Sequence, residues 1–161
     1  MREKQSDVAH FMGRAIELAL NNVRSGKGGP FAALIVKSGR VLAEGTNVVS
    51  SANDPTAHAE IVAIRNACKR IRSFKLSDCA IFANCEPCPM CLGAIYWARL
   101  ARIYFAATSA DAAKIGFDDA LLYQQLKRAA KARKIPMSQL MREDALKVFH
   151  LWEQKPDKIE Y

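Results

Sequence analysis

The sequence predicts an α/β protein of three layers, α/β/α, in which a mixed sheet of five strands lies between helices. Short apolar runs alternate with longer segments whose apolar residues recur at helical spacing, as expected of a sheet covered by helices on both faces. The first two apolar runs are separated only by a tight turn and therefore form a hairpin. The predicted strands are residues 31–37, 41–49, 80–84, 101–106 and 135–141.

The chain opens with an amphipathic helix over residues 7–24, because apolar residues from Val8 to Val23 recur at helical spacing. The glycine-rich segment 25–30 ends this helix. It does not match a phosphate-binding loop, since no lysine and hydroxyl residue follow its last glycine. The strand 31–37 then turns at residues 38–40 into the second strand of the hairpin.

The middle of the chain carries the two segments that contain candidate ligands. A polar loop leads to a helix that begins near His58 and buries apolar residues as far as Ile71. The buried strand 80–84 ends at a cysteine-rich segment, and a helix at 92–99 and a strand at 101–106 follow. In such sheets ligands bind beyond the carboxyl ends of the strands, which is where both segments fall.

The last third is predicted as a loop at 116–119, a helix at 120–131 and a further helix at 142–154. Between these helices, residues 135–141 are predicted as the fifth strand. We expect it at an edge of the sheet, since Pro136 cannot donate a hydrogen bond to a neighbour.

Length and composition indicate one globular domain covering residues 1–161, with 50% hydrophobic and 25% charged residues. No apolar stretch reaches the length of a membrane span, and none follows the N-terminus as in a signal peptide. The five cysteines are an odd number, and three of them lie within seven residues, which argues against a disulfide framework. We therefore expect a cytoplasmic protein without a membrane partner.

The formal net charge of +8 raises the possibility of a nucleic-acid partner. The densest basic run is residues 127–134, which is typical of a solvated helix face followed by a loop. No aromatic residue is interleaved there to stack on bases. The run therefore does not by itself favour a nucleic-acid partner.

The segment from Cys85 to Cys91, together with His58 and Glu60 upstream, carries the chemistry. A His-x-Glu followed by Pro-Cys-x-x-Cys is the signature of zinc deaminases that act on nucleobases. A catalytic zinc takes three protein ligands and leaves one position for water. His58, Cys88 and Cys91 are the predicted ligands of one zinc ion per chain, and Glu60 is the predicted acid and base.

Cys85 leaves two alternatives open, because Cys85-x-x-Cys88 is a second, overlapping Cys-x-x-Cys pair. One is a closed site of three cysteines and a histidine, in which zinc only stabilises the fold. The other is a buried thiol at the end of a strand, where a free cysteine behaves as a small hydrophobic residue. We favour the pair that follows Pro87, because only that register fits the deaminase signature.

Beyond this signature, the chain resembles the cytidine deaminase superfamily and, within it, the short bacterial guanine deaminases. The resemblance runs nearly end to end. It includes the segments 29–31, 53–60, 85–99, 116–119 and the C-terminal pair 160–161. The zinc motifs are common to the superfamily, whereas the stretches 96–99 and 117–119 are similar to the guanine deaminases.

The resemblance implies roles for five further residues and an assembly. Asn47 is expected to hydrogen-bond the purine and Phe31 to stack on it. Trp97 is expected to line the pocket, although by position alone it is as easily a core aromatic. Asp119 is expected to bind the guanine amine and help carry its proton, and Tyr161 to close the site. The resemblance further implies a homodimer that exchanges a C-terminal helix and tail, about residues 142–161.

The function implied is zinc-dependent hydrolysis of guanine to xanthine and ammonia. The main alternative is a tRNA adenosine deaminase, which shares the zinc motifs and is favoured by the positive charge. A tail folded over the site would leave no room for the splayed nucleotides that such an enzyme binds. Two weaker alternatives are a deaminase of another small aminated ring and a non-catalytic, zinc-stabilised module, in which Glu60 would have no purpose.

Overall fold

The computed structural model of the protein describes residues 5–160. It divides into two compact units, Met1–Asp119 and Ala120–Tyr161. The elements of the first unit are α1 (Gln5–Arg24), β1 (Ala32–Lys37), β2 (Arg40–Thr46), α2 (Val49–Ala52), α3 (Ala59–Ile71), β3 (Cys79–Cys85), α4 (Pro89–Trp97), β4 (Arg102–Ala107) and α5 (Ser109–Lys114). Those of the second unit are α6 (Ala120–Lys127), a 3-10 turn (Ala130–Ala132) and α7 (Arg142–Gln154).

The sheet has the strand order β2-β1-β3-β4. β1 pairs antiparallel with β2 and with β3, and β3 pairs parallel with β4, so the prediction of a mixed sheet flanked by helices is confirmed. The number of strands was predicted wrongly: the described residues form four strands and not five.

The missing strand is the one predicted at residues 135–141, which has no regular structure. Its apolar side chains bury no face, since Ile135 and Leu140 are 79% and 80% exposed. Pro136 lacks a donor, and Met141 has a left-handed φ of 50°, which regular strand backbone does not adopt. Apolar residues alone do not make a strand where no neighbouring strand pairs with them.

The opening hairpin follows from its turn. Ser38 and Gly39 have φ of 49° and 71°, the positive values that a two-residue turn needs to match the twist of its strands. The second strand ends at Thr46 rather than at the predicted residue 49. The chain turns inward at Asn47, which is buried, and the short helix Val49–Ala52 occupies part of the predicted strand and loop.

The core has two halves, one on each face of the sheet, because successive side chains of a strand alternate between faces. Leu34 and Phe82 pack with Phe11 of α1 on one face. Ile35 and Ile81 pack on the other face with the alanines of α3 and with α4. The β3–α4 connection and the start of α3 thus meet at one end of the buried strands.

The second unit is helical. The helix predicted at 142–154 corresponds to α7, and the one predicted at 120–131 ends at Lys127 and is followed by the 3-10 turn. Among the described residues, no helix combines the length and the apolar character needed to cross a membrane.

Candidate metal centre and active site

Three side chains from two helix starts converge on one point. His58 is the residue before α3, Cys88 is the residue before α4, and Cys91 lies in the first turn of α4. The Nδ1 atom of His58 is 3.6 Å from the Sγ atom of Cys88 and 3.6 Å from that of Cys91. The ligand atoms of the three residues all lie within 4.8 Å of one another.

These distances fit a tetrahedral zinc ion. With zinc–nitrogen and zinc–sulfur bonds of about 2.1 and 2.3 Å, two tetrahedral ligands of these types lie about 3.6 Å apart. A hydrogen bond explains the arrangement less well, because one imidazole nitrogen carries either a single proton or a single lone pair and cannot serve two sulfurs equally. The three side chains therefore have the donor types and the spacing of a zinc site with one position left for water.

The local sequence explains why both helices start here. Pro89 occupies the first turn of α4, where its missing N–H would have no partner within the helix. His58 and Cys88 both have extended backbone (ψ of 155° and 167°), so each side chain projects from a helix N-terminus. The partial positive charge of both helix ends favours thiolates and other anions at the cluster.

The electrostatics within the cluster favour the metal-binding form of one of its two cysteines, Cys88. A hydrogen bond from the Cys91 thiol lowers the pKa of Cys88 to about 4, and His58 acts in the same direction. The same bond, together with burial, raises the pKa of Cys91. The bond with Cys88 also raises the pKa of His58. Cys88 is therefore held as a thiolate, the form that binds metal.

Glu60 adds a carboxyl group to the cluster. It lies in the first turn of α3 and is only 8% exposed. Burial raises the pKa of Glu60, and hydrogen bonds from its own backbone and from Cys91 oppose this rise in part. A buried carboxyl group with a raised pKa beside a metal site is suited to accept a proton and return it.

Cys85 lies apart from the three converging side chains. It ends β3, is buried, and its Sγ atom lies 3.6 Å from the carbonyl oxygen of Thr108. Burial raises the pKa of this thiol. The structure thus places Cys85 at a buried strand end, and not among the side chains of the cluster.

Two of the predicted substrate-binding residues are joined by their backbones. The Asn47 amide donates to the carbonyl oxygen of Phe31 at 2.9 Å. The Asn47 side chain is buried, and its Oδ1 atom accepts from the Val49 amide at 3.3 Å. The ring of Phe31 meets the ring of Phe117 edge to face, with centroids 4.8 Å apart. Phe31, Asn47 and Phe117 therefore form one contiguous group.

Of the three remaining predicted site residues, the structure describes Asp119 and Trp97 but not Tyr161. Asp119 is partly buried, and burial, followed by the charge of Cys88, raises the pKa of its carboxyl group. Trp97 ends α4 and is 67% exposed, so it is not a core aromatic. Tyr161 lies outside the described residues.

The interpretation of the sequence missed two residues that support these groups. Asn22, near the end of α1, is buried, and its Nδ2 atom donates to the carbonyl oxygens of Gly29 and Asn47, both at 2.9 Å. The signal was present, because Asn22 continues the buried stripe of Phe11, Ala15 and Ala19 at helical spacing. A polar residue on that stripe needs a buried partner.

The second missed residue is Gly45 in β2. A Cβ atom there would lie 2.3 Å from the carbonyl oxygen of Ala59 and 2.4 Å from the amide of Ala63. The strand backbone therefore touches the first turn of α3, which carries Glu60 and follows His58. Sequence spacing gives no direct sign of this approach, since it joins two segments distant in the chain.

Comparison with known proteins agrees with this site. Residues 5–107 match the model of the cytidine and deoxycytidylate deaminase zinc-binding region. The guanine deaminase of Bacillus subtilis is 49% identical over 151 residues, which cover 94% of this chain and 97% of that protein. Its X-ray structure superposes with a TM-score of 0.92 over 95% of this chain and 98% of that chain, at 48% identity.

A second group of relatives matches a shorter part of the chain. The tRNA-specific adenosine deaminase of Haemophilus influenzae is 40% identical over 96 residues, or 56% of this chain and 56% of that protein. The match to the Bacillus protein is both higher in identity and nearly full length. The chain belongs to the cytidine and deoxycytidylate deaminase family and, within it, to the guanine deaminases.

Proposed function

We propose that this chain hydrolyses guanine to xanthine and ammonia. The observation that carries the proposal is the convergence of His58, Cys88 and Cys91 with the buried carboxyl group of Glu60 beside them. The near full-length similarity to a guanine deaminase supports guanine, rather than another aminated ring, as the substrate.

We assign one zinc ion per chain to the three converging side chains. When bound, zinc supplies a water molecule whose pKa is lowered toward neutrality, which makes it a nucleophile for the ring carbon that bears the amine. The site has three ligands and leaves a position for that water, because Cys85 is directed to the carbonyl oxygen of Thr108 instead.

Glu60 is the proton carrier in this proposal. Its carboxylate would take one proton from the attacking water and pass it to the ring nitrogen beside the new C–O bond. It would then take the remaining hydroxyl proton and pass it to the amine, so that the C–N bond breaks, the amine leaves as ammonia and the new oxygen becomes the carbonyl of xanthine. Burial raises the pKa of Glu60 and so makes it a better acceptor than an exposed glutamate. The carboxyl group is returned to its starting state when the product leaves.

The substrate pocket is assigned to the groups around this cluster. Phe31 stacks on the purine, Asn47 hydrogen-bonds to its edge, and Trp97 lines the pocket. Asp119 accepts from the guanine amine and ring nitrogen and helps to carry a proton. Its partial burial and the raised pKa that follows suit both tasks.

The C-terminal segment completes the proposal. We assign residues 1–161 to a single deaminase domain that acts as a homodimer, in which residues 142–161 are exchanged and Tyr161 closes the partner's site. The full-length similarity to the Bacillus protein supports the single domain. None of the five cysteines, all of which lie in the described part of the chain, forms a disulfide, which supports a reducing, cytoplasmic location.

The assignment of Glu60 is tested with Glu60→Gln, which keeps the shape of the side chain but removes the proton acceptor. We expect about one zinc per chain and a loss of turnover of about 10²-fold or more. Glu17→Gln, on the exposed face of α1, is the matched control and should behave as the unmodified protein. Guanine turnover near normal in Glu60→Gln would show that another group moves the protons.

The exchange of the tail is tested by mixing two inactive chains. Deletion of residues 158–161 should leave zinc content intact and reduce turnover, since the site would no longer be closed. Mixed with an Asp119→Ala chain, the truncated chain should regain part of its activity, because one site of the mixed dimer has both an intact pocket and an intact tail. A mixed dimer that forms and stays inactive would mean that each tail serves its own chain.

A further inference from the structure

We propose that Asn22 is a positioning residue that fixes the loop before Phe31 relative to Asn47, the two segments assigned to the purine pocket. It acts through Asn47 and the loop before Phe31, and the inference rests on the proposed function of those two residues. Asn22 lies in the last turn of α1 and is 6% exposed.

The amide of Asn22 joins two segments that are distant in the chain. Its Nδ2 atom donates to the carbonyl oxygen of Gly29 and to that of Asn47, each at 2.9 Å. An amide nitrogen carries two hydrogens, so both are used by these bonds. One rigid side chain therefore fixes the distance between the loop and the residue that follows β2.

Two further backbone hydrogen bonds complete a ring of contacts through Asn22, Gly29, Phe31 and Asn47. The Phe31 amide donates to the carbonyl oxygen of Gly29 at 2.9 Å, and the Asn47 amide donates to that of Phe31 at 2.9 Å. The backbone of Asn47 is thus held at its N–H by Phe31 and at its C=O by Asn22. Loss of the Asn22 amide therefore removes one of the two hydrogen bonds that hold the backbone of Asn47.

The loop has little space in which to adjust. A Cβ atom on Gly28 would lie 1.9 Å from the carbonyl oxygen of Asn47, so the loop backbone already packs directly on that group. A Cβ atom on Gly29 would lie 3.5 Å from the side chains of Asn47 and Phe117, which is ordinary contact. The loop backbone at Gly28 therefore packs against the same carbonyl group that Asn22 binds.

An asparagine is suited to this position by its chemistry. Leucine has a similar size but no donor, so two buried carbonyl groups would lose a hydrogen bond. Aspartate would bring a buried negative charge against two carbonyl oxygens. Serine has one donor and could serve only one of the two carbonyl groups.

The experiment compares Asn22→Leu with Asn21→Leu, the adjacent and exposed residue on the same helix. Zinc content, thermal midpoint, kcat and KM for guanine are measured for both variants. Because Asn22 bonds to the pocket segments and not to the zinc ligands, we expect normal zinc content and a KM raised by about tenfold to hundredfold. If Asn22→Leu does not fold, Asn22→Ser is used, with a smaller rise in KM expected.

A double-mutant cycle separates positioning from a general structural role. If Asn22 acts through Asn47, the substitution should raise KM much less in an Asn47→Ala background than in the unmodified chain. Equal effects in both backgrounds, or an unchanged KM with a lowered thermal midpoint, would overturn the proposal. Absence of guanine turnover in the unmodified protein would instead refute the proposed function, so the two failures are distinguishable.

Discussion

Replacing Gly45 with alanine tests whether the position of α3 on the sheet sets the geometry of the site. The added Cβ atom would lie 2.3 Å from the carbonyl oxygen of Ala59, 2.4 Å from the amide of Ala63 and 3.0 Å from its Cα atom. All three are backbone atoms, so no side chain can rotate away. The shortest distance is about 1 Å less than an ordinary contact, and the start of α3 must move by a similar amount.

That movement would displace a predicted zinc ligand and the predicted proton carrier. His58 immediately precedes α3, and Glu60 lies in its first turn. A shift of about 1 Å exceeds the tolerance of about 0.2 Å for metal–ligand distances and is of the size that lowers rates by about 10²-fold. Overpacking of this kind also lowers the free energy of unfolding by about 1–3 kcal/mol.

The measurement is zinc content, kcat/KM for guanine and the thermal midpoint of Gly45→Ala. Gly13→Ala in α1 is the matched control, because, apart from its chain neighbours and the backbone of its own helix, no described atom lies within 4 Å of its Cβ position, and alanine is the better helix former. We expect Gly13→Ala to be fully active and at least as stable as the unmodified protein. Full zinc content and unchanged kcat/KM in Gly45→Ala would refute the reasoning.

Three further predictions follow from the site and its surroundings. Cys91→Ala should lose zinc, whereas Cys85→Ala should keep both zinc and activity; elemental analysis showing the reverse would mean that the register of the ligands is wrong. Asp119→Ala should nearly abolish guanine turnover, because the substrate would lose its charge-assisted hydrogen bonds from the amine and ring nitrogen; near-normal kinetics would remove its assigned role. Hydrogen bonds from Thr108 lower the pKa of Asp111 to about 2 from 3.8. The stabilisation is therefore present above pH 3.8 and lost as the pH falls toward 2. Thermal midpoints should accordingly show Asp111→Ala less stable than the unmodified protein at pH 7, with a gap that closes in acid; a constant gap would contradict this.

Local signals predicted the parts of the fold that depend on neighbouring residues. The hairpin could be predicted because Ser38-Gly39 suits a tight turn, and α4 could be predicted because Pro89 suits the first turn of a helix. The strand predicted at residues 135–141 was wrong because a strand depends on a partner, which no spacing of apolar residues reveals. The end of β2 was misplaced because Asn47 is buried by tertiary contacts.

The residues of the candidate site also divide into those that the local sequence predicts and those that depend on contacts with distant segments. The three converging ligands could be predicted because their types and spacing follow from zinc chemistry. Gly45 could not, because its importance arises from a contact between a strand and a helix start that are distant in the chain. Asn22 could be recognised as a polar residue on the buried stripe of α1, but its partner 25 residues away could not. Contacts of this kind are visible only once the segments are placed together.

The most direct test of the function is ammonia release from guanine, adenine, cytosine and a tRNA anticodon stem-loop, measured side by side with zinc-loaded protein. Glu60→Gln serves as the background. We expect release from guanine well above that from the other three substrates and well above the Glu60→Gln background. Faster deamination of the stem-loop than of guanine would contradict the assignment and identify the chain as a tRNA adenosine deaminase.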